Sequence, residues 1–417
     1  MDFFQCVSLS KAQELIADHL KEVGIQKEVV SLPEALGRIV AEDMLAQEDL
    51  PPFDRSTVDG FAVRSADTFG ANESSPALFM IVGEVAMGES GTLVLQPGQA
   101  VSIPTGGMLP VGADAVVMLE YTEQHDETIL MILKMVAPGE NLVAKGDDIR
   151  SRMTIVKRGQ KIGPQHIGAL AACGWAQIPV AKRVEVAILS TGDELVDIHE
   201  TPQRGQIRDV NSYALGAMLS EIGCIVKPMG IVKDSFEQFY NALVKALATC
   251  QLVVISGGSS VGVKDYTEKA INALGTPGVL IHGVAIKPGK PTIFGMVGQI
   301  PIFGLPGHPV AAMTVCQQLV EGAVRFLGGQ KQGGDELPIL ACLGRNIPSV
   351  PGRDDFMNVR LSRQDGKYIA TPLLGKSGLI STMSEADGTI HIPADKSGLY
   401  QGESIEVRLI KNGKASS

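Results

Sequence analysis

Apolar and polar positions recur along this chain with changing periods, and each period predicts a different kind of element. Between residues 8 and 24, Leu15, Ile16, Leu20 and Val23 stand at helical spacing behind Ser10 and Gln13, a capping-box pair. The chain is therefore expected to open with one amphipathic helix. From about 47 to 145 the helical period gives way to short apolar runs, Leu78 to Val82, Gln99 to Ile103 and Ala115 to Leu119, separated by Gly, Pro, Asn and Asp. That stretch reads as β-rich. Residues 146–182 are mixed, with a helix expected from Pro164 to Cys173, whose proline suits a first helical turn.

Between 183 and 328 the two periods alternate. Val184 to Leu189 is a short apolar run, Cys224 to Val232 a strand-like run and Leu252 to Ile255 a candidate buried strand. One helix, introduced by Asn211, carries Ala214, Leu215, Met218, Leu219 and Ile222 and ends at Gly223. A second, capped by Asp234, carries Phe236, Tyr240, Leu243, Val244 and Leu247. This alternation predicts βαβ units and a parallel-rich sheet, hence an α/β multidomain fold with ligands at the carboxyl ends of the strands. From about 335 to 412 short strands return, with turns expected at Asp365-Gly366 and Asp387-Gly388, which marks a small terminal β domain.

Composition narrows the classes. A chain of 417 residues with 45% apolar and 20% charged positions can bury several cores. Glycine (47) and proline (23) are more frequent than usual, which favours tight turns and backbone-lined loops. The net charge of −10 argues against a nucleic-acid partner, because neutralising phosphates needs a concentrated basic face. Cys6, Cys173, Cys224, Cys250, Cys316 and Cys342 form no CxxC pair, as expected of reduced cysteines. Neither a signal sequence nor a membrane-length apolar run is visible, so a cytoplasmic protein without a membrane partner is expected.

Three loops follow apolar runs in the α/β stretch. Ser256, Gly257, Gly258, Ser259, Ser260 and Gly262 form a glycine-rich segment in which consecutive N–H groups can build a phosphate nest; the plainer alternative is a strand-to-helix turn. Lys287-Pro288-Gly289-Lys290-Pro291-Thr292 holds two ammonium groups on a proline-stiffened loop, either an oxyanion clamp or a solvated basic turn. Gly304-Leu305-Pro306-Gly307-His308-Pro309-Val310 brings backbone to a pocket mouth, where His308 either caps a helix or meets the ligand. Asp193, Glu194, Asp234 and Asp265 fall at the same edge, as hard oxygen ligands for Mg²⁺ or as helix caps, with capping preferred for Asp234. Two further loops, residues 51–61 and 104–110, are dense in hydroxyls, acids and exposed backbone. P-loop, zincin, serine-hydrolase and zinc-finger motifs are missing.

Together these loops resemble the molybdopterin molybdenumtransferase family, the MoeA proteins and the related E domain of gephyrin. The resemblance is carried by PPFDRSTVDGFAV (51–63), PTGGMLPVGADAVV (104–117), GDDIR (146–150), STGDEL (190–195), RDVNSYAL (208–215), SGGSSVGVKDYT (256–267), KPGKPT (287–292) and GLPGHPVAA (304–312). It implies a split N-terminal domain (1–46 and 145–182), an inserted β-rich domain (47–144), a three-layer molybdopterin-binding α/β domain (183–330) and a β-barrel-like C-terminal domain (335–412). It further implies molybdenum cofactor biosynthesis by a homodimer with shared sites, in which molybdate enters adenylylated molybdopterin with Mg²⁺-dependent release of AMP, with other cofactor-biosynthesis proteins as partners. On this reading Asp59 and Thr105 serve the neighbouring subunit's site, and Asp148, Glu194, Asp234 and Asp265 form the acidic set, with Glu194, Asp234 and Asp265 as the metal ligands. Lys287, Lys290 and Pro291 face molybdate, Pro306, Gly307, His308 and Pro309 bind substrate, and Ser377 contributes from the C-terminal domain. Three positions depart from the family pattern: His308 replaces an amide, Ala311 a hydroxyl and Asn358 an arginine, leaving Arg353 and Arg360 as candidate anion contacts. The alternatives are the adenylyltransferase acting on molybdopterin, which shares the SGG loop, and a gephyrin-like scaffold.

Overall fold

The computed structural model describes residues 6–89, 93–257, 261–330, 338–375, 378 and 380–410, the backbone alone at 261–265. The chain forms two compact units, Val29–Val180 and a second made of Met1–Glu28 with Ala181–Ser417.

In the first unit the expected β-rich stretch is a six-stranded half-barrel sheet in the order Ala115–Met118, Gly60–Val63, Gln99–Ile103, Ala77–Glu84, Ile129–Ile132, Thr122–Gln124. Its central strands are apolar at successive positions because both faces are covered. Phe61, Val63, Ala115 and Val117 pack on one side, Ala62, Val101 and Val116 on the other. The segments flanking the sheet share a separate core, in which Val40 and Met44 meet Val156, Leu170 and Val180. The predicted helix there is Pro164–Ala172, with its proline in the first turn.

The second unit contains the predicted parallel-rich sheet, ordered Ile225–Val232, Glu185–Thr191, Leu252–Gly257, Ile300–Leu305, Ile293–Val297, Pro277–His282. The first four strands run parallel and Ile293–Val297 is antiparallel to both neighbours. Period-two alternation sends Val186 and Ile188 to one face, with Leu215 and Leu219 of the helix Asn211–Glu221. Ala187 and Leu189 go to the other, with Leu243 and Ala246 of the helix Phe236–Thr249. Three layers result.

The terminal strands close into a barrel. Asp354–Gln364, eleven residues long, pairs through its second half with Lys367–Pro372 and through its first half with Gly388–Ile392. Ile339–Leu343 and Ser404–Leu409 complete the ring of five, which leaves no free edge. Ile286–Lys287 adds to Asp354–Asp355 in parallel, joining the barrel to the lysine loop.

Several local expectations are corrected. Ser8, not Ser10, caps the first helix, Leu9–Leu20, accepting from the Lys11 amide at 3.2 Å; Gln13 instead donates to the Gln318 carbonyl. That helix packs into the α/β core through Leu9, Ile16 and Leu20. Asp234 caps nothing: the residue before Phe236–Thr249 is Ser235, and the buried face is Phe239, Leu243 and Ala246, with Phe236 and Val244 exposed. Asp365-Gly366 does make the predicted two-residue hairpin turn, both residues at positive φ. Asp387-Gly388 does not. Gly388 starts a strand, and the Asp387 carboxylate accepts from the Leu361 amide at 2.7 Å. All six cysteines are free thiols, and burial pushes Cys224 up to about 12. No helix among the described residues is long and apolar enough to cross a membrane.

Candidate active site

The strand Glu185–Thr191 leads to one neighbour through a helix on one face of the sheet, and the next crossover uses the opposite face. The topological switch point therefore lies between Glu185–Thr191 and Leu252–Gly257, where a crevice opens at the carboxyl ends. Thr191 stands in register with Val232 on one side and Gly257 on the other. A Cβ on Gly257 would collide with the Thr191 carbonyl oxygen, and its φ is +106°, so only glycine lets these ends meet.

This crevice gathers buried polar atoms from neighbouring strand ends. The Ser190 and Thr191 hydroxyls and the Asn211 carbonyl oxygen are buried without a partner among the described residues. Buried polar atoms are rarely left so. Asn211 uses its amide to bind Ser256 Oγ and the Gly307 carbonyl, each at 2.8 Å, thereby linking three motif loops. It is free to do so because Asp209 caps the helix, accepting from the Ser212 amide and hydroxyl. Sequence reasoning passed over Ser190, Thr191 and Asn211 as individual site residues, although STGDEL and RDVNSYAL contain them. Of the predicted nest, Ser256 and Gly257 end the strand and Gly262 lies in the first turn of the helix Val261–Leu274. Gly258, Ser259, Ser260 and the Asp265 side chain lie outside the described residues.

On the other side of Thr191 an acidic group forms. Asp193 accepts from the Asp234 amide at 3.1 Å, and Lys233 ties down the Asp193 and Leu195 carbonyls. The Glu194 carboxylate folds over Gly192, 2.6 Å from where a Cβ would stand. Asp234 remains largely exposed, but partial withdrawal from water raises its carboxyl pKa, and the charges of Asp193 and Glu194 push the same way. A divalent cation would relieve that repulsion. Among the described residues no three His, Cys, Asp or Glu side chains are grouped to hold a metal. The donor set still fits Mg²⁺, which commonly takes one or two carboxylates and completes its shell with substrate phosphate and water.

The lysine and GLPGHP loops also emerge at this edge, and with the barrel they enclose a cleft of about 1800 Å³. Lys287, Lys290, Pro291, Pro306, His308 and Arg353 line it. His308 precedes the helix Pro309–Val315, whose first turn contains Pro309. The two lysines differ. Both are exposed, but Lys287 is held 3.3 Å from Asp355, a buried barrel carboxylate that also accepts from Ser349 and Arg353. Arg360 does not line the cleft and pairs with Glu385 at 2.8 Å. Ala311 and Asn358 do line it, and Asn358 donates to Met383 Sδ. Ser377 lies outside the described residues, between the cleft-lining Gly375 and Gly378.

In the other unit, the loops at 51–61, 104–110 and 146–150 form one cluster. Asp59 accepts from the Thr105 amide at 2.7 Å, which holds its carboxyl below the usual range. Asp54 accepts from the Lys145 amide, and its carbonyl from the Leu109 amide. Asp148 is exposed on the adjoining turn, its amide donating to the Leu50 carbonyl.

These features define a multidomain α/β protein with a crevice at the carboxyl edge of a parallel-rich sheet. Comparison with known proteins gives the family. Residues 7–174 match the MoeA N-terminal region (domain I and II), 187–325 the probable molybdopterin binding domain and 341–410 the MoeA C-terminal region (domain IV). The molybdopterin molybdenumtransferase of Bacillus subtilis is 30% identical over 406 residues, 95% of this chain and 93% of its own. That of Haemophilus influenzae is 31% identical over 384 residues, 92% of this chain and 93% of its own. A MoeA crystal structure from Pyrococcus horikoshii OT3 has a TM-score of 0.79 at 30% identity, covering 97% of this chain and 100% of that one. The chain belongs to the MoeA family.

Proposed function

We propose that this protein is a molybdopterin molybdenumtransferase, inserting molybdate into the dithiolene of adenylylated molybdopterin with Mg²⁺-dependent release of AMP. The observation that carries this reading is the crevice at the switch point, where Ser190, Thr191 and Asn211 present buried, unpartnered polar atoms between an acidic group and a cationic cleft. The pterin phosphate fits the strand ends at Ser256 and Gly257, where backbone can approach closely. Glu194 and Asp234, with Asp265, are the residues to hold Mg²⁺, which when bound supplies neutralisation of charge on the leaving phosphate. Lys290, Lys287 and Arg353 supply positive charge for molybdate at the cleft wall.

The homodimer belongs to the same proposal. Asp59, Thr105 and Asp148 lie in a different compact unit from the crevice, and the family resemblance assigns Asp59 and Thr105 to a neighbouring subunit's site. A cytoplasmic location is likewise part of this reading. The decisive experiment incubates the purified protein with adenylylated molybdopterin, Mg²⁺ and molybdate, and follows AMP release together with active cofactor. Release that does not depend on molybdate, or no cofactor formed, would overturn the reading.

A further inference from the structure

The cationic wall of the large cleft contains a negative charge that its sequence does not announce. Asp355 is the second residue of the barrel strand Asp354–Gln364, and the parallel register sets it beside Lys287. The contact is thus fixed by main-chain pairing, reinforced by the Asp354 amide donating to the Ala285 carbonyl at 2.9 Å. Both carboxylate oxygens are used. Oδ2 accepts from Lys287 Nζ at 3.3 Å and Ser349 Oγ at 2.8 Å, and Oδ1 accepts from Arg353 Nε at 3.0 Å. The Asp355 side chain is 5% exposed, whereas those of Lys287 and Arg353 are 51% and 37% exposed.

From this geometry we infer that Asp355 is a positioning residue for the oxyanion: it pins Lys287 and Arg353 to the cleft wall and tempers their charge. The inference rests on the molybdate reading of the cleft. A buried carboxylate stripped of its cations is costly, so an incoming dianion meets Lys287 in place and does not draw it away. Arg353 spends only Nε on Asp355, which leaves its terminal amino groups for the cleft. The arrangement trades attraction for position. Without Asp355 the wall would gain one unit of positive charge and lose the fixed direction of two side chains.

The test is a molybdate titration of the wild type, Asp355→Asn, Asp355→Glu, Lys287→Ala and the Asp355→Asn/Lys287→Ala double variant. Asp355→Asn should lower the half-saturating molybdate concentration by about threefold while lowering the maximal rate about tenfold, because charge and position change in opposite senses. Asp355→Glu keeps the charge but moves it, so half-saturation should stay within about twofold while the rate falls at least about threefold. In the Lys287→Ala background, Asp355→Asn should change the rate by less than about threefold. A lower rate at unchanged half-saturation in Asp355→Asn, a wild-type rate in Asp355→Glu, or equal fold-changes in both backgrounds would overturn the inference. If the wild type shows no saturable use of molybdate, it is the oxyanion reading that fails. Thermal unfolding of the same variants then decides the pairing: a double variant that loses less than the sum of the single losses supports it, and additive losses overturn it.

Discussion

The carboxylate of Asp59 lies at the surface, yet it holds the Thr105 amide at 2.7 Å and so joins two loops that are 46 residues apart in sequence. Accepting that bond favours the charged form, which is why its pKa is lowered. A carboxyl lowered in the folded state contributes stability that is present above its unfolded pKa and lost as pH falls through the folded value. We expect Thr105 amide exchange to stay slow down to a pH below the ordinary carboxylate range and then to accelerate. In Asp59→Asn the exchange should already be faster at neutral pH, with the difference disappearing in acid; equal protection at neutral pH would show that the bond does not hold the loops. Lys290 gives a second residue-scale prediction. A charge-assisted contact contributes about 1.5–3 kcal/mol, so Lys290→Ala should raise half-saturating molybdate about tenfold to a hundredfold and leave pterin affinity nearly unchanged. An unchanged titration would return Lys290 to an ordinary solvated lysine. KPGKPT marks both lysines equally in the sequence. What distinguishes them, Asp355, lies 68 positions beyond Lys287 and becomes a neighbour only through strand pairing.

At the scale of elements, apolar periodicity was informative where a segment is buried and weak where side chains compete for a terminus. Val184 to Leu189 stood out as an apolar run, and layers cover both faces of that strand. At the first helix the spacing of Ser10 to Gln13 matched a capping box, which favoured Ser10. Packing decided otherwise. Burial of Leu9 puts the first turn two residues earlier than that cap allows, so Ser8 accepts the Lys11 amide. Ser8→Ala should therefore cost about 1 kcal/mol in denaturant unfolding, against a few tenths for Ser10→Ala. A larger loss at Ser10 would restore the capping-box assignment. Asp234 illustrates the same weakness with consequences for function. Its position suited a cap, but Ser235 precedes the helix, leaving the Asp234 carboxylate among Asp193 and Glu194. Asp387-Gly388 looked like a hairpin turn, yet Gly388 is needed in a strand, where a Cβ would approach Val407 Cγ1 to 2.5 Å.

For the whole molecule, the α/β class was legible because strand and helix periods alternate in order, whereas the C-terminal barrel was legible through the family resemblance and not through local pattern. Closure depends on Asp354–Gln364 pairing at both ends with strands on either side of the ring, which no local pattern records. Nor does a sequence state how many chains complete a site. Asp59 and Asp265 belong to different compact units, and the shared-site proposal puts them in different chains of each active site. Asp59→Ala and Asp265→Asn homodimers should then each be inactive, because both sites of either homodimer lack one of the two carboxylates. In a heterodimer of the two variants, one site receives a normal Asp59 from one chain and a normal Asp265 from the other, while the second site lacks both. Free exchange of equal amounts makes about half the dimers heterodimeric with one intact site each, so about a quarter of wild-type activity should return. Were each site built within one chain, every site in the mixture would still lack one carboxylate and nothing would return. Affinity purification on two different tags isolates the heterodimer, and its AMP release, expected near half that of the wild type, measures the sharing directly.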